Sequence, residues 1–142
     1  MKSTHMIYII LAVIAVAAGF LAITPLHSSE YSVCVTNEMQ VNVSSQKVLF
    51  GESNFAAGSL GPGGMGCQER IQGIKIPDKV TVNFAPIRKE KDNPSFTVEV
   101  DMKDIPKDAN GKIFFTIKSE TEVTVKYISY EEFYKKIKET KK

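Results

Sequence analysis

The sequence predicts an all-β domain, an antiparallel β-sandwich of about seven strands, with an apolar helix ahead of it and a short helix behind it. Three observations carry this. Apolar and polar residues alternate with period two in one short segment after another beyond Glu30. Turn-forming clusters separate those segments at short intervals. The period changes to that of a helix only in the last dozen residues.

The chain has 142 residues, enough for one domain and too few for two plus an anchor. Composition divides it at about residue 27. All 16 acidic residues lie at or beyond Glu30, and of the 18 basic residues only Lys2 precedes it. The expected units are therefore 1–27, an anchor or uncleaved signal with its linker, and 28–142, a β-sandwich domain with a C-terminal helix over 130–139. The second unit carries 17 Lys and Arg against 16 Asp and Glu. That balance makes no strong field for nucleic acid, so no nucleic-acid partner is expected.

The first unit contains 18 uncharged residues, Met6 to Ile23. At 1.5 Å per residue a helix of that length reaches about 27 Å, close to the thickness of a bilayer core. A cleaved signal has a shorter apolar stretch followed by a small-x-small site. Here Thr24-Pro25-Leu26-His27-Ser28 follows, with only Leu26-His27-Ser28 as a weak site. The reading favours a retained inner-membrane anchor over residues 6–23, with cleavage and release into the periplasm as the alternative. No lipobox-like run precedes either cysteine. Lys2 lies before the segment and Glu30 is the first charge after it, which sends the domain outward, to the periplasm.

Cys34 and Cys67 are the only cysteines. In an exported domain two cysteines read as one disulfide. A metal site is a poorer reading, because two Cys with no His nearby do not complete a tetrahedral set. Two separate buried thiols remain the third reading.

Along the domain, Tyr31, Val33 and Val35 mark a first strand. Met39, Val41 and Val43 alternate, and Lys47 to Phe50 extends that strand after a bend. A loop is expected from Gly51 to Gly66. Ile71, Ile74 and Ile76 suggest a strand ending at Pro77. Val80, Val82 and Phe84 form the next, then Phe96, Val98, Val100 and Met102, then Ile113, Phe115 and Ile117, and last Val123, Val125 and Tyr127. Pro77-Asp78, Asp92-Asn93-Pro94 and Asp108-Ala109-Asn110-Gly111 supply the turns.

At the C-terminus Tyr130, Phe133, Tyr134 and Ile137 recur at helical spacing. Ser129 with Glu132 three residues later makes a capping box, and Glu131–Lys135 and Glu132–Lys136 are acid-first pairs. The aromatic stripe is expected to cover a sheet edge or an open end of the sandwich rather than to bind a ligand. Lys135, Lys136, Lys138, Lys141 and Lys142 form a basic tail, whose ordinary meaning is a solvated face.

The histidines exclude several chemistries. Both, His5 and His27, precede the domain. No Ser-His or Cys-His pair can therefore form within it, and no catalytic residue is assigned. Ala57-Gly58-Ser59-Leu60-Gly61 resembles a nucleophile elbow only superficially, since no later His exists. No cofactor or metal is expected. Glu99 and Asp101 share the outward face of a strand and read as solvated charges. The unusual segment is Gly58-Ser59-Leu60-Gly61-Pro62-Gly63-Gly64-Met65-Gly66, followed by Cys67. It lacks the Lys of a phosphate loop. Two readings stay open: a connection between sheets, or a partner-binding loop.

The run Gly61-Pro62-Gly63-Gly64-Met65-Gly66-Cys67, then Ile74-Lys75-Ile76-Pro77, then Lys79-Val80-Thr81-Val82-Asn83-Phe84, resembles a family of small exported glycine-loop β-domain proteins of Gram-negative bacteria. That family was long catalogued as a domain of unknown function, and some members are immunity proteins against type VI secretion lipase effectors. The second half is similar too, in Phe96 to Met102, Asp108-Ala109-Asn110-Gly111 and Ile113-Phe114-Phe115. The resemblance spans roughly residues 39–129. It departs in having an apolar anchor where many relatives are lipoproteins, and Phe84 where relatives often have Trp. It implies a non-enzymatic periplasmic protein whose partner is a secreted lipase or phospholipase effector; apart from the resemblance, the glycine segment and nearby strand ends are the expected contact. The other function expected from the anchor and fold is an accessory or docking subunit of an envelope complex. An enzyme working through Glu99 and Asp101 is the least favoured.

Overall fold

The computed structural model describes residues 29–89 and 94–141. The expected anchor over 6–23, the unit 1–27 that contains it, and most of the Asp92-Asn93-Pro94 turn lie outside the described residues. Among the described residues, no helix is long and apolar enough to cross a membrane.

The domain is a mostly-β sandwich with one C-terminal helix. Its strands are β1 (Glu30–Asn37), β2 (Val43–Phe50), β3 (Ser53–Leu60), β4 (Met65–Gln72), β5 (Lys79–Pro86), β6 (Phe96–Asp101), β7 (Gly111–Ile117) and β8 (Val123–Ser129). Helix α1 (Tyr130–Thr140) follows directly. One sheet has the order β4-β1-β7-β8 and the other β3-β2-β5-β6. The chain crosses between sheets four times, after β1, β3, β4 and β6.

Alternation builds the core. Tyr31, Val33 and Val35 of β1 and Ile113, Phe115 and Ile117 of β7 face Val48 and Phe50 of β2 and Val80, Val82 and Phe84 of β5. Phe50 stands edge-on to Phe55 at 5.2 Å and to Phe115 at 6.1 Å, tying the two sheets together. Each such side chain contributes about 1.5–3 kcal/mol by leaving water. Tyr31 keeps its hydroxyl satisfied by donating to the Ile74 carbonyl at 2.9 Å. Burial pushes its pKa up to about 12.

Four expectations need correction. The strands are not all antiparallel: β1 pairs β7 in parallel, Tyr31 opposite Gly111 through Asn37 opposite Ile117. Period-two alternation is the same in both arrangements, so it carries no signal of direction. The stretch from Gly51 to Gly66 is no long loop. It holds a two-residue turn, the eight-residue strand β3 and a four-residue turn into β4, which raises the strand number to eight among the described residues. Only Phe55 and Leu60 are buried in β3, an edge strand, so its alternation is faint. Met39–Asn42 is a bend and not strand. The strand expected to end at Pro77 ends at Gln72, and Gly73 with φ 73° turns the chain out of β4. Ile74 and Ile76 still enter the core from irregular backbone, which mimics a strand pattern in sequence.

The disulfide is present. Cys34 and Cys67 face each other across the antiparallel β1–β4 pair, with Cα atoms 4.0 Å apart and an S–S bond of 2.08 Å. Both sulfurs are used in that bond, so although Glu69 lies nearby no thiolates remain for a metal.

Candidate functional site

Strand directions sort the connections into two ends. β1, β3, β5 and β7 finish where β2, β4, β6 and β8 begin, so residues 38–42, 61–64, 87–89 and 118–122 gather at one end. Glu30, Gly111 and Ser129 lie at the opposite end, where the chain enters the domain and α1 leaves it.

Asn37 organises the loop end. It is fully buried at the tip of β1. Its side-chain amide donates to the Val41 carbonyl at 2.8 Å and to the Leu60 carbonyl at 3.0 Å. Its Oδ1 accepts from the Met39 N–H at 2.9 Å. Its backbone N–H donates to Gly64 at 2.9 Å, and its carbonyl accepts from Gly63 at 2.7 Å. One asparagine thus satisfies groups from the 38–42 connection and both ends of the glycine turn, which is what buried polar groups require.

Further bonds join the remaining connections. The Ile87 N–H donates to Asn42 at 2.7 Å, and the Glu38 N–H to Ile117 at 2.9 Å. Arg88 pairs with Glu120 across the two sheets. The surface so formed is cross-linked by hydrogen bonds and mixed in character. A shallow cavity of about 440 Å³ opens between Glu38, Met39, Lys118 and Glu120. Met65 is 57% exposed and Ile87 42% exposed at the same end.

The glycine segment is dispersed by the fold. Gly58, Ser59 and Leu60 belong to β3, Gly61, Pro62, Gly63 and Gly64 make the turn, and Met65 and Gly66 open β4. Leu60 is buried, Gly64 and Gly66 are half-buried, and the other six are exposed. Gly64 is required sterically, and Gly66 sits in a tight place. A Cβ on Gly64 would come within 2.9 Å of the Gly61 carbonyl, and one on Gly66 within 3.1 Å of Ala57, where edge strands β3 and β4 approach. Ser59 lies on a strand rather than at the strand-to-helix turn a nucleophile elbow needs. Of the carboxylates, Glu99 is engaged by Lys79 at 2.6 Å, and Asp101 accepts from the Lys103 N–H at 2.8 Å. The sequence reading missed Asn37, Met39, Ile87, Arg88 and Glu120. Each is unremarkable in sequence and gains meaning only from the register that brings strand ends together.

A second polar cluster lies on the outer face of the β4-β1-β7-β8 sheet. Ser32, fully buried, bonds the Glu69 carboxylate and lies 2.7 Å from the Tyr130 hydroxyl. Lys112 reaches Glu69 at 2.7 Å and lies 5.0 Å from the Phe133 ring centroid. Glu69 is held below the ordinary carboxylate range, first by the Lys112 hydrogen bond and then by that from Ser32. These contacts dock the start of α1 on the sheet face, where an edge or an open end of the sandwich had been expected.

No protein-family model matches the chain, and no curated protein matches it in sequence. Among solved structures the chain is similar to one described as an NMR structure of a protein from Eubacterium rectale. The two share 16% identity over 72% of this chain and 92% of that one, with a TM-score of 0.47.

Proposed function

We infer that this chain is a binding protein of the periplasm, not an enzyme, and that it works through the loop end of its sandwich. The observation that carries the reading is the Asn37-centred surface. Loops fixed by a rigid scaffold make preorganised contacts, and preorganisation lowers the entropy cost of association. Exposed Met65 and Ile87, at the same end as Glu38, Lys118 and Glu120, match the mixed composition of protein interfaces. The glycine segment named from sequence contributes its turn, Gly61 to Gly64, and Met65.

The finer reading rests on the family resemblance in sequence. The chain would be an immunity protein held at the inner membrane by residues 6–23, and would block the active site of a cognate type VI secretion lipase or phospholipase. The disulfide is compatible with that oxidising compartment. Co-expression with periplasmically targeted lipase effectors tests it. Protection by the full chain, lost in Met65→Glu and Ile87→Glu variants that retain the parent's melting temperature, is the expected result. Retained protection in both variants would remove the loop end from the contact. If no effector from the native strain co-purifies or is neutralised, the immunity reading falls.

A further inference from the structure

Among the described residues, four large apolar side chains are exposed: Met65, Ile87, Tyr134 and Ile137. The first two lie at the loop end. The other two lie on α1, at the opposite end, and the loop-end reading leaves them unexplained.

The stripe predicted along α1 is split by the fold. Tyr130 and Phe133 pack on the sheet through Ser32 and Lys112, whereas Tyr134 is 57% and Ile137 39% exposed, and no residue of the helix is buried. Between α1 and β8 an open groove of about 400 Å³ is lined by Ile128, Phe133 and Ile137, with Lys136 and Lys141 at its margin. At 3.6 residues per turn, Lys138 flanks the apolar stripe and Lys141 prolongs it. Glu132 and Glu139 turn to the far side. Glu132 is further engaged by Lys136 at 2.6 Å. Lys138 and Lys141 thus border the apolar stripe, Glu131 and Lys136 stand at equal angles on its two sides, and Tyr134 opens on a second cavity shared with Glu30, Glu69, Arg70 and Lys112.

Position supplies the occupant. The described chain begins at Ser29, six residues after the last residue of the apolar segment 6–23. Fully extended, those six residues span at most about 20 Å. Strand register puts Glu30 beside Gln72, Tyr31 beside Gly111, and Gly111 beside Ser129, the N-cap of α1. A bilayer holding residues 6–23 would consequently lie next to α1, and the loop end would point away from it.

We propose that the lysine-bordered apolar face of α1, with Ile128, docks on an anionic phospholipid surface and holds the domain upright on its anchor. Apolar side chains enter the headgroup region while lysines reach the phosphates, the arrangement of an interfacial helix. The proposal rests on the anchor reading of residues 6–23.

The chain contains no Trp, so Tyr134→Trp and Ile87→Trp variants each carry a single reporter. The full chain would be reconstituted in phosphatidylcholine vesicles with and without phosphatidylglycerol, using lipids brominated in their acyl chains. Expected is a blue-shifted Trp at 134, quenched severalfold more strongly than Trp at 87, which an eight-residue strand places about 25 Å away. The difference should require phosphatidylglycerol and shrink in high salt or in a Lys136→Gln, Lys138→Gln, Lys141→Gln background. Chain that floats with the vesicles but shows equal quenching at 134 and 87 overturns the proposal and leaves the anchor standing. Chain that fails to float overturns both. A blue shift that follows protein-to-lipid ratio without bromine quenching assigns the face to a second copy, and also overturns it.

Discussion

Asn37 of one sheet donates its side-chain amide to the Leu60 carbonyl of the other, 3.0 Å away, and this bond closes the sandwich at its loop end. Asn37→Ala would leave the Leu60 carbonyl without that partner in a buried place, and the Val41 carbonyl and Met39 N–H in half-buried ones. Unsatisfied buried groups cost about 1–3 kcal/mol each where water cannot reach them, so a loss of about 2–4 kcal/mol is expected. Urea unfolding measures it. Faster hydrogen exchange at Gly63 and Gly64, whose partners are Asn37 and Gly61, should accompany the loss.

The Cys34–Cys67 bridge spans a sequence separation of 33. On the loop-entropy model, its removal in a Cys34→Ala, Cys67→Ala variant should cost about 3–4 kcal/mol. A thermal melt with and without reductant reads the same quantity on the parent. Full thiol labelling of unfolded but unreduced exported chain would contradict the bond.

Gly111 and Gly58 separate two reasons for glycine. A Cβ at Gly111 would collide with the Ile128 carbonyl oxygen and lie 2.7 Å from the Ser129 Cα, both backbone. Gly111→Ala should therefore part β7 from β8 at the start of α1 and destabilise by about 3 kcal/mol or more. At Gly58 nothing lies within 4 Å, but φ is 75°. Gly58→Ala should cost only the left-handed penalty, about 1 kcal/mol. Equal losses in chemical unfolding would refute the distinction.

Glu69 gives stability an acid dependence of known sign. Its folded pKa lies below the ordinary value of 4.5, chiefly through Lys112. The stabilisation is thus present above the unfolded pKa and disappears as pH falls through the lower folded value. Glu69→Gln should lose less stability than the parent between about pH 5 and pH 2, with little difference in slope at neutral pH. The effect is small, because Glu69 is about half exposed and its pairing is screened by water. Urea midpoints across that range decide it.

Much of the fold was legible because burial leaves a period. Val80, Val82 and Phe84, and Ile113, Phe115 and Ile117, are strands in sequence and in structure. The N-cap is equally visible: the Ser129 hydroxyl accepts from the Glu132 N–H at 3.2 Å, the first half of the expected capping box, while the Glu132 carboxylate turns to Lys136. Strand β3 was hidden, since an edge strand buries only Phe55 and Leu60 and its glycines read as loop. The candidate site was the least legible part. Met65 stood out beside a glycine run, but Ile87 lies far from it in the chain and joins the same surface only through strand pairing.

From sequence alone came the sandwich class, the cysteine pair as the candidate disulfide, the terminal helix and the want of histidine in the domain. All are local: periodicity, composition and capping act within a few residues. The parallel pairing of β1 with β7, the choice of Asn37 as hub, and the placing of Met65 and Ile87 at one end and Tyr134 and Ile137 at the other needed the tertiary structure. These depend on strand direction and register, and hydrogen-bond partners distant in sequence leave no periodic trace along the chain.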